Sequence, residues 1–351
     1  MTWAVVAVVG VVLVALMVLL EVVARTTAKG SGADVWLKEP LLQRKDDRMR
    51  QLGRKAQPDV LFLGSSGIMC AVDPEILSRE FGVTAYNAGI FRGTTCYVAS
   101  WGRLFALRRL TPRIVVIEVW LPTINDNSDM SEHYNQHLKS PYFTSRKRMR
   151  FLYELGHWMT LLRFAPPAAT APIQLARQMG QSLQRVGSWT ARRPVSLPGV
   201  IGMDGESVEH DAKLGYRTGA LLQKLLRGMM QEWSMGAQNW SALTELIAVA
   251  RAGGAQVLLL EPPYTDELAR EYFPGGLPAW LLARELVEQR ALELDALWLL
   301  PERMTEEAYF SDPVHANLAG KRHFSVAVGT ALVQQRVIPG LMPSTFAEGT
   351  T

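Results

Sequence analysis

Four apolar residues in a row, Val60 to Leu63, are followed by Gly64 and two serines. No polar residue interrupts the run, which is typical of a strand buried on both faces of a parallel sheet. In open α/β sheets, ligands and reactive groups collect at the carboxyl ends of the strands. Any chemistry in this chain is therefore expected to begin at Ser65 or Ser66.

Similar short apolar runs recur along the chain and alternate with segments of helical periodicity. The predicted strands are 60–63, 84–86, 114–119, 256–261 and 297–300, and the predicted helices are 73–81, 95–110, 238–252, 279–294 and 318–336. This alternation is typical of a parallel sheet covered by helices on both faces. We therefore predict a three-layer, flavodoxin-like α/β fold.

The first segment, Trp3 to Leu20, contains no charged residue and is rich in valine and leucine. As a helix rising about 1.5 Å per residue, it would nearly cross a hydrocarbon core of roughly 30 Å. A cleaved secretory signal usually has basic residues before the apolar run and a small-x-small site after it. Neither feature is present, so residues 1–25 are predicted to be an uncleaved transmembrane helix.

The rest of the chain divides by composition. Residues 26–57 are polar and mixed in charge, and we predict a stalk that is helical over 41–54. The α/β domain is predicted over 58–340, with a tail over 341–351. Between about 125 and 236 the alternation of strands and helices stops. That stretch is predicted to be an insertion that covers the active-site end of the sheet or docks a partner.

Composition excludes several classes of protein. A pI near 9.1 without a repeated basic-aromatic pattern gives little support to nucleic-acid binding. Two cysteines, Cys70 and Cys96, are too few for a disulfide-rich scaffold or a four-cysteine metal site. Buried thiols are the simpler interpretation, with a disulfide as the alternative. His133 and His137 are four apart but have no evident third ligand, so the sequence predicts no metal site and no cofactor.

Two further candidates lie near the carboxyl end, on a loop that enters a helix. A serine is a poor nucleophile until a base takes its proton, and the base needs an acid to fix its tautomer. Asp312 and His315 could supply both groups. The alternatives are structural: Ser66 or Asp312 as a helix N-cap, and His315 as a surface loop residue. Ser65 is the fallback nucleophile.

Over residues 58–337, apart from the insertion, the chain resembles the SGNH or GDSL-type superfamily of esterases and acyltransferases. Gly64-Ser65-Ser66 resembles the first motif of that family, which implies that Ser66 is the nucleophile. Asp312-x-x-His315 resembles the last motif, which implies that these two residues are the catalytic acid and base.

The same resemblance implies an oxyanion hole. Asn87 to Gly89 resembles the second motif, whose glycine N–H stabilises the oxyanion. The glycine-x-asparagine of the third motif is missing after the third strand. The hole is therefore expected to use the N–H groups of Ser66 and Gly89, with Asn125 as a candidate third donor. Ser65 and Asn87 are predicted to contact substrate, with a helix cap as the alternative for Asn87.

In lacking the third motif, the chain also resembles extracytoplasmic acyl-transfer branches of the superfamily, such as the alginate acetylation and teichoic-acid D-alanylation proteins. Those proteins work beside a membrane-bound O-acyltransferase. The resemblance implies a membrane-anchored acyltransferase or esterase that acts on a cell-envelope glycan outside the cytoplasm. Basic residues after the apolar segment, Arg25, Lys29 and Lys38, favour the opposite orientation under the positive-inside tendency. We adopt the orientation that the resemblance implies, with the domain outside the cytoplasm.

Two other functions remain open at this point. The chain could be a non-catalytic partner or scaffold of a polysaccharide-modifying membrane complex, which the missing oxyanion motif would suit. It could also be a flavodoxin-like domain that binds an anion at the start of the helix after Ser66. That third interpretation gives no role to Asp312 and His315.

Overall fold

The computed structural model of the chain describes residues 3–31, 40–128, 206, 216 and 219–337. All of the predicted strands fall within these ranges. Most of the predicted insertion, the pair His133 and His137, and the predicted tail lie outside the described residues.

Five of the described strands form one parallel sheet at the centre of the domain. They are β1 (Val60–Leu63), β2 (Ala85–Asn87), β3 (Ile114–Glu118), β4 (Gln256–Leu260) and β5 (Leu297–Leu299). Their order is β2-β1-β3-β4-β5, with Leu61 beside Tyr86 on one side and Val115 on the other. This is the flavodoxin-like order. The predicted fold class is confirmed, and each strand lies within one residue of its predicted limits.

Helices account for most of the remaining described chain. They are α1 (Trp3–Ser31), α2 (Pro40–Lys55), α3 (Ser66–Ala71), α4 (Pro74–Phe81), α5 (Thr95–Trp101), α6 (Leu107–Arg109), α7 (Leu121–Ile124), α8 (Ala220–Met230), α9 (Ala237–Ala252), α10 (Gly276–Leu292) and α11 (Leu318–Gln334). The predicted helix over 95–110 is present, but a π-helical segment, Gly102–Ala106, separates α5 from α6. A helix after Ser66 was expected without limits and corresponds to α3, whereas sequence periodicity did not predict α7 and α8.

The two faces of the sheet are covered by different helices, because side chains alternate along each strand. On one face, Val60 and Phe62 of β1 belong to a fully buried cluster with Ile68 of α3 and Phe324 of α11. On the other face, a Cβ at Gly102 would lie 2.8 Å from Leu246 of α9. The sheet thus lies between α3, α4 and α11 on one side and α5 and α9 on the other.

Local sequence signals explain why α4 begins and ends where it does. The Asp73 side chain caps the helix by accepting the N–H of Glu75, and Pro74 occupies the first turn. Gly82 ends it in the left-handed region, with φ of 67°, which glycine adopts without steric cost. These signals fix the length of the connection between β1 and β2.

Helix α1 contains the apolar stretch Val5–Val22, which is long and apolar enough to cross a membrane. The helix continues beyond the predicted anchor, to Ser31.

Helix α2 contacts the second strand through a buried lysine. The Lys45 ammonium donates a hydrogen bond to the backbone oxygen of Asn87 at 2.8 Å. Burial lowers the pKa of Lys45 to about 7. The adjacent Asp46 accepts a hydrogen bond from Arg109 Nε at 3.0 Å. Cys70 and Cys96 are both free and buried, in agreement with the simpler interpretation of the sequence.

Candidate active site

The order of the strands places the candidate residues at one edge of the sheet. The chain order reverses between β1 and β3, and ligands of open α/β sheets bind in the crevice that such a reversal leaves at the carboxyl ends. Ser66 follows β1 as the first residue of α3, and Glu118 is the last residue of β3.

Ser66, His315 and Asp312 form a continuous chain of hydrogen bonds at this edge. His315 Nε2 lies 2.9 Å from Ser66 Oγ, and His315 Nδ1 lies 2.8 Å from Asp312 Oδ2. Because a carboxylate only accepts, we assign the ring proton to Nδ1, which leaves Nε2 to accept the hydroxyl proton of Ser66. Ser66 and His315 are half-buried, whereas Asp312 is buried. This arrangement can turn a serine hydroxyl into a nucleophile.

A tight hairpin holds the acid and the base. Strands β6 (Phe310–Asp312) and β7 (His315–Ala316) are antiparallel, where the sequence predicted only a loop. Asp312 Oδ1 accepts the backbone N–H groups of Val314 and His315, each at 3.0 Å. The residue that caps α11 is Asn317, so Asp312 does not have the alternative role of helix cap. Its carboxylate is therefore fixed by its own turn and faces the imidazole.

The neighbouring serine is held by a carboxylate that sequence analysis did not assign to the site. Ser65 Oγ donates to Glu118 Oε1 at 2.6 Å and accepts the N–H of Gly67 at 3.1 Å. The Ser65 N–H also donates to the Glu118 carboxylate. Ser65, rather than Ser66, is therefore the N-cap of α3. Because its hydroxyl is buried and engaged, Ser65 is neither the fallback nucleophile nor a substrate contact, which corrects both predictions.

Glu118 is a residue of the candidate site that sequence analysis did not identify. It is only 3% exposed, and burial raises the pKa of its carboxyl to about 7, although the hydrogen bonds from Ser65 favour the charged form. One signal was available in the sequence. Glu118 is the single charged residue in an otherwise apolar strand, Ile114–Glu118. A charge is seldom buried without a partner, so this position could have been examined for one.

The Asn87 side chain is hydrogen-bonded to the helix that carries Ser66. Its side-chain amide donates to the backbone oxygens of Ile68 at 3.0 Å and Val72 at 2.8 Å. Its Oδ1 accepts the N–H of Gly89 at 3.0 Å. Asn87 is fully buried, so we replace its predicted contact with substrate by this structural role. The Gly89 N–H, predicted as an oxyanion donor, is directed at Asn87 and not at Ser66.

Asn125 also has a structural role in place of the predicted one. Its side-chain amide donates to the backbone oxygens of Met229 at 2.9 Å and Gln231 at 3.2 Å. Its Oδ1 accepts the N–H of Ser234 at 2.9 Å. Both amide hydrogens are thus used, and Asn125 is removed from the candidate oxyanion hole. Within the described ranges, no group of three or more histidine, cysteine, aspartate or glutamate side chains is placed to hold a metal ion.

A Gly64→Ala substitution is expected to destabilise the chain by about 1 to 3 kcal/mol, the usual cost of overpacking. The new Cβ would meet the Glu118 carboxylate and lie 2.7 Å from Ile68 Cγ1. Chemical denaturation measures the effect. The matched control is Gly219→Ala, where no atom lies within 4 Å of the new Cβ. Equal stability of the two variants would show that the turn before Ser66 has room to relax.

Comparisons with known proteins found similarity only among solved structures. No family model and no curated protein matches the chain. One similar structure is a provisionally assigned acylhydrolase from Bacteroides fragilis, with 12% identity, a TM-score of 0.37, and coverage of 82% of this chain and 96% of that one. Another is a provisionally assigned lipolytic protein of the G-D-S-L family from Desulfitobacterium hafniense, with 10% identity, a TM-score of 0.35, and coverage of 78% and 98%. A third is a provisionally assigned platelet activating factor from Streptococcus pneumoniae, with 11% identity, a TM-score of 0.36, and coverage of 84% and 91%.

Proposed function

We propose that this chain is a serine-dependent enzyme of the SGNH or GDSL type, which cleaves an ester or transfers its acyl group. The observation that carries the proposal is the hydrogen-bonded series from Ser66 Oγ through His315 to Asp312, at 2.9 and 2.8 Å. The three residues come from the ends of separate elements, 249 positions apart between Ser66 and His315. Such an arrangement is the general form of a nucleophile, a base and the group that orients the base.

In the proposed reaction, Ser66 Oγ attacks the carbonyl carbon of an ester while His315 Nε2 takes its proton. Asp312 keeps the imidazole in the required tautomer and stabilises its positive charge. As the tetrahedral intermediate collapses, the bond to the alcohol oxygen breaks and His315 returns the proton to that oxygen. An acyl ester of Ser66 remains. His315 then takes the proton of water or of a sugar hydroxyl, whose oxygen attacks the acyl carbon. As the bond to Ser66 Oγ breaks, His315 returns that proton to Ser66 Oγ.

The oxyanion hole, the set of donors that stabilises the intermediate, is the less complete part of the proposed site. The Ser66 N–H is the first proposed donor, and Gly89 can contribute its N–H only by leaving Asn87 Oδ1. Loss of one oxyanion donor typically costs about 3 to 4 kcal/mol of transition-state stabilisation. We therefore propose slow chemistry, or a site completed when substrate binds.

We further propose that α1 anchors the domain in a membrane, outside the cytoplasm, where it modifies a cell-envelope glycan beside a membrane-bound O-acyltransferase. The apolar stretch Val5–Val22 supports the anchor, and the resemblance of the sequence motifs supports the rest. The basic residues after this stretch favour the opposite orientation. Reporter fusions at the carboxyl terminus test it, because a reporter active only outside the cytoplasm should be active if the proposal holds.

A second candidate function is a non-catalytic partner of such a membrane complex. The observation that favours it is that two predicted oxyanion donors are hydrogen-bonded within the protein. The Gly89 N–H donates to Asn87, and the Asn125 amide donates to the Met229 and Gln231 carbonyls. A binding module would need no free oxyanion donors.

Covalent labelling with a fluorophosphonate probe separates the two functions. We expect the full chain in detergent to gain the mass of one probe molecule less HF at Ser66, because an activated serine displaces fluoride from phosphorus. Ser66→Ala should not gain it. Ser78→Ala, which removes an exposed serine of α4, is the matched control and should be labelled like the native chain. Failure of the native chain to react would favour the non-catalytic partner.

A further inference from the structure

Helix α3, which begins with Ser66, is held at its far end by one side chain. The helix is only six residues long, too short to be stable without contacts to other elements. The Asn87 amide donates to the backbone oxygens of Ile68 at 3.0 Å and Val72 at 2.8 Å, and Val72 is the residue that ends the helix. The position of Ser66 therefore depends on the position of Asn87.

Asn87 is in turn held by a lysine of α2. The Lys45 ammonium donates to the backbone oxygen of Asn87 at 2.8 Å, and Lys45 is only 1% exposed. A second bond joins the same two elements, because the Tyr86 hydroxyl donates to the backbone oxygen of Lys45 at 3.3 Å. Both bonds tie α2 to the end of β2, where Asn87 is the last residue.

Helix α2 has its own contacts with the domain, which do not involve α3. The fully buried Asp46 carboxylate accepts hydrogen bonds from Arg109 Nε and Arg50 Nε, each at 3.0 Å. Further along the helix, Gly53 lies so close to the backbone oxygen of Arg109 that a Cβ would not fit. Lys45 thus holds Asn87 from a helix that is itself fixed.

A buried amine is a costly way to make this contact. Burial lowers the pKa of Lys45 to about 7, because the protein interior disfavours the ammonium form. An apolar side chain of similar volume would avoid that cost. A hydrogen bond, however, fixes the distance and the direction of the Asn87 oxygen, which apolar packing does not.

We propose that Lys45 is a positioning residue for Ser66. Lys45 fixes the backbone of Asn87, and the Asn87 side chain fixes α3. Helix α3 then presents the Ser66 hydroxyl to His315 Nε2 at 2.9 Å. Displacement of a reacting group by about 1 Å can cost about 10²-fold in rate. The effect on catalysis rests on the proposed function, whereas the hold on α3 does not.

The two free cysteines measure this hold without any catalysis. Cys70 lies in α3, Cys96 lies in α5, and both are buried. Lys45→Met keeps a long side chain that cannot donate, so Cys70 of the full chain in detergent should react with iodoacetamide about tenfold faster. Cys96 should keep its native rate. Loss of the Lys45 charge would by itself disfavour the Cys70 thiolate, so a faster reaction reports opening of α3.

Two further variants complete the thiol experiment. Arg44→Met changes the exposed neighbour of Lys45 on α2 and is the matched control, with native rates expected at both thiols. Tyr86→Phe removes only the second bond and should speed Cys70 about twofold, which keeps a test if Lys45→Met does not fold. Equal acceleration of Cys70 and Cys96 would show general destabilisation and overturn the proposal. An unchanged Cys70 rate in the variants that fold would overturn it as well.

The rate of fluorophosphonate labelling measures the consequence for Ser66. Lys45→Met should label about tenfold more slowly but to the native extent, whereas a misfolded fraction would lower the extent. Adding Lys45→Met to Asn87→Ala should slow labelling little further, because both changes break the same path.

The outcome can be distinguished from failure of the proposed function. If the native chain does not label at all, the acyl chemistry is contradicted, and the thiol rates alone decide whether Lys45 holds α3. If Lys45→Met labels at the native rate, Lys45 does not position Ser66, and the proposed function is unaffected.

Discussion

An Asp312→Asn variant is expected to hydrolyse an activated ester about 10⁴-fold more slowly than the native chain, as in the general Ser-His-Asp mechanism. The amide oxygen can still accept the N–H groups of Val314 and His315, so the hairpin should stay folded. The amide nitrogen then donates to His315 Nδ1, which moves the ring proton to Nε2. A protonated Nε2 cannot take the proton of Ser66.

Hydrolysis of p-nitrophenyl acetate measures this loss, and circular dichroism checks the fold. Asp73→Asn is the matched control, because Asp73 caps α4 and asparagine caps helices about as well as aspartate. It should keep about the native rate. An Asp312→Asn rate above a tenth of the native one would show that Asp312 does not set the tautomer of His315.

The sheet could be predicted from the sequence because most residues of its strands are apolar and occur in short runs, of which Val60–Leu63 is fully buried. In a chain of this composition, short apolar runs of this kind are typical of buried strands. The convergence of Ser66 with Asp312 and His315 was expected on other grounds, namely the need of a serine nucleophile for a base and an acid and the resemblance of the motifs, because Asp312 and His315 lie in a separate antiparallel hairpin. What the sequence could not supply was the hairpin that fixes the acid and the base.

The roles of the amide side chains could not be predicted. An asparagine amide donates equally well to a substrate oxygen and to a backbone carbonyl, and only the fold decides which is near. For Asn87 the nearest acceptors are the oxygens of Ile68 and Val72, at the end of α3. Glu118 also decides which serine caps α3 and which one faces His315. It lies 53 positions from Ser65 in the chain. No local motif contains that information.

A Glu118→Gln variant is expected to remove a loss of stability that the native chain undergoes as the pH rises. The pKa of Glu118 is raised from its ordinary 4.5 to about 7 by burial. Between these values the folded chain binds a proton that the unfolded chain has released, so the free energy of unfolding falls with rising pH. At about 1.4 kcal/mol per pH unit, the native chain loses on the order of 3 kcal/mol by pH 8.

Glutamine resembles the protonated carboxyl, because it presents one acceptor and one donor to Ser65. Its oxygen can accept the Ser65 N–H, and its NH₂ group can donate to Ser65 Oγ, which already accepts the N–H of Gly67. We therefore expect the two chains to be about equally stable at pH 5 and the variant to be more stable at pH 8. Urea unfolding at both pH values measures the difference. The control Glu293→Gln changes an exposed side chain and should differ from the native chain by less than about 0.5 kcal/mol at either pH. A Glu118→Gln variant that tracks the native chain at both pH values would mean that Glu118 stays ionised in the folded domain, so that the hydrogen bonds from Ser65 outweigh the cost of burial.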